Sequence, residues 1–155
     1  MSYTAVIAAP FGHLGIVAPF QVVSRIEFLD ASVPLLPPEP SSLAEEVERQ
    51  LQEYFRHPGF HFDLPCRPQG TPFQQRVWQA IASLPSGATV SYGAIAQQLG
   101  SSARAVGQAC GNNPLPIVIP CHRVLARSGL GGFNHSSAEQ TLFIKFWLLR
   151  HEQQR

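Results

Sequence analysis

Apolar positions along this chain change their spacing partway through, and the change divides it. Residues 3 to 30 carry short apolar and β-branched runs broken at Pro10-Phe11-Gly12 and around Pro19, which predicts a small antiparallel meander of three strands. A proline-rich stretch follows, from Pro34 to Pro40. From there the spacing turns helical: Leu43, Val47, Leu51 and Tyr54 or Phe55 share one face, Ser42 and Glu45 stand as a capping box, and His57-Pro58-Gly59 ends the run. Phe60 to Leu64 alternates weakly, as a further strand or an extended connector before Pro65 would.

The remainder reads as mostly helical. Thr71, Pro72 and Gln74 supply an N-cap, a first-turn proline and a capping partner, and Phe73, Val77, Ile81 and Leu84 then recur on one side until Pro85-Ser86-Gly87. Ser91 is placed to cap a short helix ending at Gly100, and a second runs from about Ala103 to Cys110, giving a helix-turn-helix outline. A last helix, capped from Ser137 and Gln140, would turn Leu142, Phe146 and Leu149 inward. The expected class is α+β. A small strand-rich domain with one helix, residues 1 to 66, precedes a mainly helical domain, residues 67 to 155, with a winged-helix-like helix-turn-helix.

Composition narrows the function classes. With 45% hydrophobic residues and a mean hydropathy of zero, the chain is suited to a globular fold, and no apolar run approaches the roughly 18 residues that span a bilayer. The N-terminus lacks a cationic segment followed by an apolar one, so a cytosolic location is expected. Cys66, Cys110 and Cys121 are odd in number and show no CxxC spacing, which argues against a disulfide framework and against a self-contained zinc site.

Charge adds a second asymmetry. Residues 1 to 65 hold three basic and eight acidic side chains, a net −5, whereas residues 66 to 155 hold eight basic and two acidic ones, a net +6. The positive half suits a polyanion such as nucleic acid, and equally a merely solvated basic face.

Candidate chemistry centres on Ile117-Val118-Ile119-Pro120-Cys121-His122-Arg123-Val124. A cysteine closing an apolar run is most often an inert buried thiol. Here Pro114, Pro116 and Pro120 stiffen the segment, and His122-Arg123 bring polar groups to the thiol that can activate it. The second helix of the helix-turn-helix is almost all small residues apart from Arg104, so it lacks the usual base-reading side chains. It suits either a packed neighbour or close approach to a shallow groove. Arg104 could pair with a phosphate or fill the space of an extruded base. The Tyr92 hydroxyl could donate to a base ring nitrogen, or simply pack under the first helix. Asn112-Asn113-Pro114 can tie the second helix to the Cys121 segment.

Taken together, Gly70-Thr71-Pro72-Phe73-Gln74, Ser91-Tyr92-Gly93, Ala103-Arg104-Ala105-Val106-Gly107, Asn113-Pro114 and Ile119-Pro120-Cys121-His122-Arg123-Val124 resemble the O6-alkylguanine-DNA alkyltransferase family in order and spacing. Gly129 to Phe133 and Trp147 to Glu152 extend the resemblance, while the N-terminal part matches in outline only. The resemblance implies irreversible, single-use transfer of an alkyl group from O6 of guanine, and from O4 of thymine, to Cys121, without a cofactor. His122 would act as base through a water, Glu152 would orient it, Tyr92 would donate to the guanine and Asn113 would brace the two motifs. Arg104, Tyr92, Gly93, Ala103, Ala105, Arg123 and Ser128 would contact DNA, and Val124, Gly131, Gly132 and His135 would line the base pocket. The partner would be duplex DNA bound through its minor groove without strong sequence preference, by a monomer with no membrane attachment. Three departures stand out: residues 133 to 146 form a longer segment than the family suggests, Gly111 and Asn112 stand where a basic residue is common, and Cys66 is the only cysteine of the first half, so no zinc is expected. Rival readings are a non-catalytic lesion-binding protein, a cysteine hydrolase using Cys121 and His122, and a helix-turn-helix transcription factor.

Overall fold

Contacts divide the chain into two units, Met1–Gln69 and Gly70–Arg155, with the boundary three residues past the expected one. The computed structural model describes residues 2–127, 129, 131 and 139–153.

The first unit is the three-stranded meander followed by one helix. Strands β1 (Ala5–Ala9), β2 (Gly12–Val17) and β3 (Arg25–Leu29) pair antiparallel in chain order, Ala5 opposite Ile16 and Ile16 opposite Ile26. Helix α1 (Leu43–Arg56) buries Ala44, Val47, Leu51 and Tyr54. Its cap is offset from the expected box: Ser42 accepts from the Glu45 amide at 3.2 Å, but the Glu45 carboxylate reaches the amide of Ser41, which sits at φ 63°. Residues 60 to 64 form no strand among the described residues. Asp63 is held instead by the Gln50 side chain, through both its N–H and its carbonyl at 2.9 Å.

The second unit is helical around one small parallel pair of strands. Helix α2 (Pro72–Ala82) starts at the full capping box of Thr71 and Gln74, with Pro72 in its first turn. Helices α3 (Tyr92–Leu99) and α4 (Ala103–Gly111) are capped by Ser91 and Ser102, and Gly100 separates them in the left-handed conformation at φ 66°. A single 3-10 turn (Cys121–Arg123) leads into β5 (Val124–Leu125), which pairs with β4 (Val90–Ser91). Two-residue strands 34 positions apart leave no periodicity in the sequence. Beyond that pair, only an isolated bridge between Ala126 and Gly129 adds strand pairing after β5 among the described residues, so the fold carries a helix-turn-helix without an established wing.

Helix α5 (Glu139–Glu152) corrects an expectation. Its inward face is Ile144, Lys145, Leu148, His151 and Glu152, while Phe146 is 48% exposed and Leu142 and Leu149 are half-buried. The apolar stripe pointed to the wrong side because three of the five inward residues are polar. Ser137, offered as its cap, lies outside the described residues, as does most of the long segment from 133. Trp78 on α2 is 2% exposed and donates its indole N–H to the Ala109 carbonyl at 2.9 Å, and Trp147 stacks on His151 with ring centroids 4.8 Å apart.

Candidate functional site

The segment between α4 and the 3-10 turn is held by its own main-chain bonds, Ile119 to Leu115 and Cys121 to Ile119 at 2.8 Å, and by the side chain of Asn113. Asn113, 5% exposed, donates from Nδ2 to the Ile119 carbonyl at 2.8 Å and to Cys121 Sγ at 3.2 Å, while its Oδ1 accepts from the Leu115 amide at 2.9 Å. Within that loop Ile117 sits at φ 75°, a costly conformation for a β-branched residue that persists where surrounding bonds over-determine it. The loop thereby delivers Cys121 to the start of the 3-10 turn at 4% exposure.

The two residues after Cys121 meet one buried carboxylate. Glu152, the last residue of α5, accepts from His122 Nε2 at 2.7 Å and from Arg123 through Nε and a terminal nitrogen, both at 2.9 Å. Arg123 also donates to the Leu84 carbonyl at 2.6 Å. Facing a carboxylate, Nε2 carries the imidazole proton, which leaves Nδ1 as the lone-pair nitrogen. That Nδ1 is buried and has no hydrogen-bond partner among the described residues. Burial pushes the His122 pKa below its ordinary value against the pull of Glu152, so the ring is neutral at neutral pH.

These contacts correct the expectation for Arg123. A residue 9% exposed, with its guanidinium forked onto Glu152 and capped by Leu84, is committed inside the fold and cannot reach a DNA phosphate.

Two residues that the sequence did not single out join the site. Lys145, fully buried on α5, donates to the Val124 carbonyl at 2.8 Å and to the Tyr92 hydroxyl at 3.4 Å. Burial pushes its pKa down to about 8, opposed by the nearby sulfurs of Cys110 and Cys121. Cys110 is buried near the end of α4, and its neighbourhood, together with burial, raises the Cys121 pKa well above the ordinary thiol value. A lysine inside an apolar helical stripe was a legible anomaly; Cys110 among small residues gave no signal.

Tyr92 opens α3 half-buried, and burial, with the two sulfurs adding to it, raises its pKa, so the phenol keeps its proton. Beside it lies a cleft of about 560 Å³ lined by Ser91, Tyr92, Gly93, Ala103, Arg104, Ala126 and Arg127. The structure thus brings Tyr92, Gly93, Ala103 and Arg104 together, adds Ala126 and Arg127, and leaves the half-buried Ala105 off the lining. Gly131 stands at φ 73°, and a Cβ there would meet the Tyr92 ring at 3.0 Å, so glycine keeps the wall next to Tyr92 thin. The Val124 carbonyl is partly engaged by Lys145 and retains a second lone pair. Ser128, Gly132 and His135 lie outside the described residues. Among the described residues no cluster of three or more His, Cys, Asp or Glu could hold a metal, and no helix is long and apolar enough to cross a membrane.

Chemically, the arrangement offers a buried thiol, a neutral histidine oriented by a carboxylate, and a proton-bearing phenol at the edge of a cleft with cationic side chains. Residues 72–154 match the family model described as 6-O-methylguanine DNA methyltransferase, DNA binding domain. The chain is 38% identical over 149 residues to a methylated-DNA–protein-cysteine methyltransferase of Mycobacterium bovis, covering 89% of this chain and 90% of that protein. It is 48% identical over 102 residues to the constitutive one of Bacillus subtilis, covering 64% and 62%. Among solved structures, the Mycobacterium tuberculosis O6-methylguanine methyltransferase superposes with a TM-score of 0.79 at 36% identity over 97% of this chain and 92% of that one. That organism's OGT in complex with DNA gives 0.78 at 38% identity, over 96% and 91%.

Proposed function

The chain belongs to the methylated-DNA–protein-cysteine methyltransferase family, and from that premise we propose that Cys121 is the sulfur that takes an alkyl group from O6 of guanine, once and irreversibly. The observation that carries this reading is that Cys121 is buried directly before a buried His122 whose Nε2 is bonded to Glu152, which leaves its Nδ1 without a partner and able to take a proton. The Cys121 proton passes to His122 Nδ1 through a water, and Glu152 stabilises the imidazolium that results. Sulfur then attacks the alkyl carbon. A C–S bond forms as the C–O bond breaks, and the electron pair leaves with guanine. Tyr92 donates to the departing base as its charge grows, which is stabilisation set up in advance of the reaction. The balance closes without a cofactor. The thioether has no route back to a thiol, so each molecule acts once.

The substrate is a base extruded from duplex DNA, because a thiol this deep cannot meet O6 within a stack. The cleft beside Tyr92 suits a minor-groove approach: Ala103 and Gly93 let the backbone come close, Arg104 projects from the first turn of α4 to fill the vacated stack, and Arg127 pairs with phosphate. Contacts of this kind discriminate weakly between sequences. O4-alkylthymine presents a comparable leaving group. The protein acts as a monomer, in a cytosol whose reducing state keeps Cys121 a thiol.

The experiment is intact-protein mass after incubation with a duplex carrying O6-methylguanine, with Cys121→Ser in parallel. Gain of one methyl per chain, absent in the variant, is the expected result. Binding without a mass change would make the protein a lesion sensor instead.

A further inference from the structure

Glu152 is the last residue of α5, where a carboxylate meets the negative end of its own helix dipole, and it is 1% exposed. The guanidinium of Arg123 grips it by both oxygens. Nε donates to Oε1 and Nη2 to Oε2, both at 2.9 Å, as a pair of bonds that fixes the plane of the carboxylate. The remaining arm, Nη1, donates at 2.6 Å to the carbonyl of Leu84, whose own amide bonds back to Ile81 near the end of α2. The Gly87 amide adds a longer contact to Oε1 at 3.4 Å. His122 Nε2 reaches Oε2 at 2.7 Å, the oxygen that Nη2 also occupies. A single bond from a ring nitrogen leaves a carboxylate free to turn about it, and a fork does not.

We propose that Arg123 is a positioning residue for proton transfer: its fork holds the Glu152 carboxylate on the Nε2 edge of His122, and so keeps Nδ1 the nitrogen that takes up the proton. The inference rests on His122 serving as the base toward Cys121. An imidazole carries its proton on the nitrogen that faces the better acceptor, so a carboxylate able to swing away would let the proton settle on Nδ1 and close the lone pair there. A base in the wrong tautomer cannot accept. The charge of Arg123 acts in a second way. Burial is the largest influence on His122 and disfavours the imidazolium, the bond and charge of Glu152 favour it, and the charges of Arg123 and Lys145 oppose it. The titratable groups about the ring are thus Arg123 and Cys121 from the turn, and Lys145 and Glu152 from α5. His151 of α5 stacks on Trp147, and Arg76, the one titratable residue of α2, donates to the Leu99 carbonyl. Without the Arg123 charge the pull of Glu152 is less opposed, and the ring takes its second proton at higher pH.

The test uses the full chain, labelled with nitrogen-15, and reads the ring nitrogens of His122 by long-range proton–nitrogen NMR across pH, assigned by their loss in His122→Gln. Wild type is expected to show the Nε2–H tautomer alone above the titration midpoint. Arg123→Lys keeps a cation but has no fork. In it a fraction of the ring is expected to carry the proton on Nδ1, the midpoint to stay near wild type, and methyl transfer from an O6-methylguanine duplex to be several-fold slower. Arg123→Gln, without fork or charge, is expected to show the same mixture with its midpoint moved to higher pH. If both variants keep the wild-type tautomer, or if Arg123→Gln leaves the midpoint unmoved, the proposal is overturned. A merely loosened pocket would slow transfer without changing which nitrogen holds the proton. Should Arg123→Gln fail to fold, the tautomer in Arg123→Lys decides alone. The nitrogen spectra are taken without DNA, so a wild-type Cys121 that gained no methyl would sink the acceptor reading separately, with the ring result still standing.

Discussion

The two units handle charge in opposite ways. In the first, ion pairs ride on the solvent face of α1, where Arg49 and Glu46 meet at 2.7 Å with side chains 58% and 41% exposed. In the second, His122, Arg123, Lys145 and Glu152 are all at most 9% exposed. Exposed pairs of the first kind contribute little, because water screens them and two long side chains must be ordered. Buried ions cost desolvation that their mutual attraction roughly offsets, so a fold gains little stability from holding them. The difference teaches where to look for chemistry: the unit that carries the expense of buried charge is the one with the reactive thiol.

Removing a buried partner should break this contrast most sharply. Glu152→Ala leaves the Arg123 guanidinium without its carboxylate and His122 without its orienter, and should cost about 3–5 kcal/mol in chemical denaturation. Methyl transfer should fall at least about a hundredfold with it, as expected when a base loses its orientation. Acid sharpens the contrast at intermediate scale. The folded His122 pKa lies below the unfolded one, so as pH falls through about 6.5 the unfolded chain takes up a proton that the native second unit refuses, and stability declines. Thermal melting followed from pH 8 to pH 5 should show that decline, and His122→Gln should flatten it. The smallest effect belongs to α1: Arg49→Ala should leave the denaturation midpoint within measurement error.

Local signals made much of the fold legible. Ser42, Thr71 and Ser91 cap helices as the sequence suggested, because a cap is decided by a few adjacent residues. The orientation of α5 was not legible, since hydrophobic periodicity assigns Lys145 and Glu152 to solvent while their partners, Val124, His122 and Arg123, come from a distant segment. For the same reason Arg123 could be carried over as a DNA contact on resemblance alone: nothing near it in sequence announces the carboxylate 29 residues on. The motif around Cys121 was plain, yet Cys110 was hidden, because its influence on Cys121 depends on how the loop from 111 to 120 closes through Asn113.

Both tryptophans of the chain, Trp78 and Trp147, fall in the second unit, and the first has only Tyr3 and Tyr54 as comparable chromophores. Light absorbed at the red edge of the aromatic band is therefore emitted from the second unit alone, so a fluorescence melt and a backbone circular dichroism melt follow different parts of the molecule. Trp78 is bonded to the carbonyl one residue before Cys110, so its emission is an intrinsic gauge of the helix end that carries the second thiol, with no dye attached.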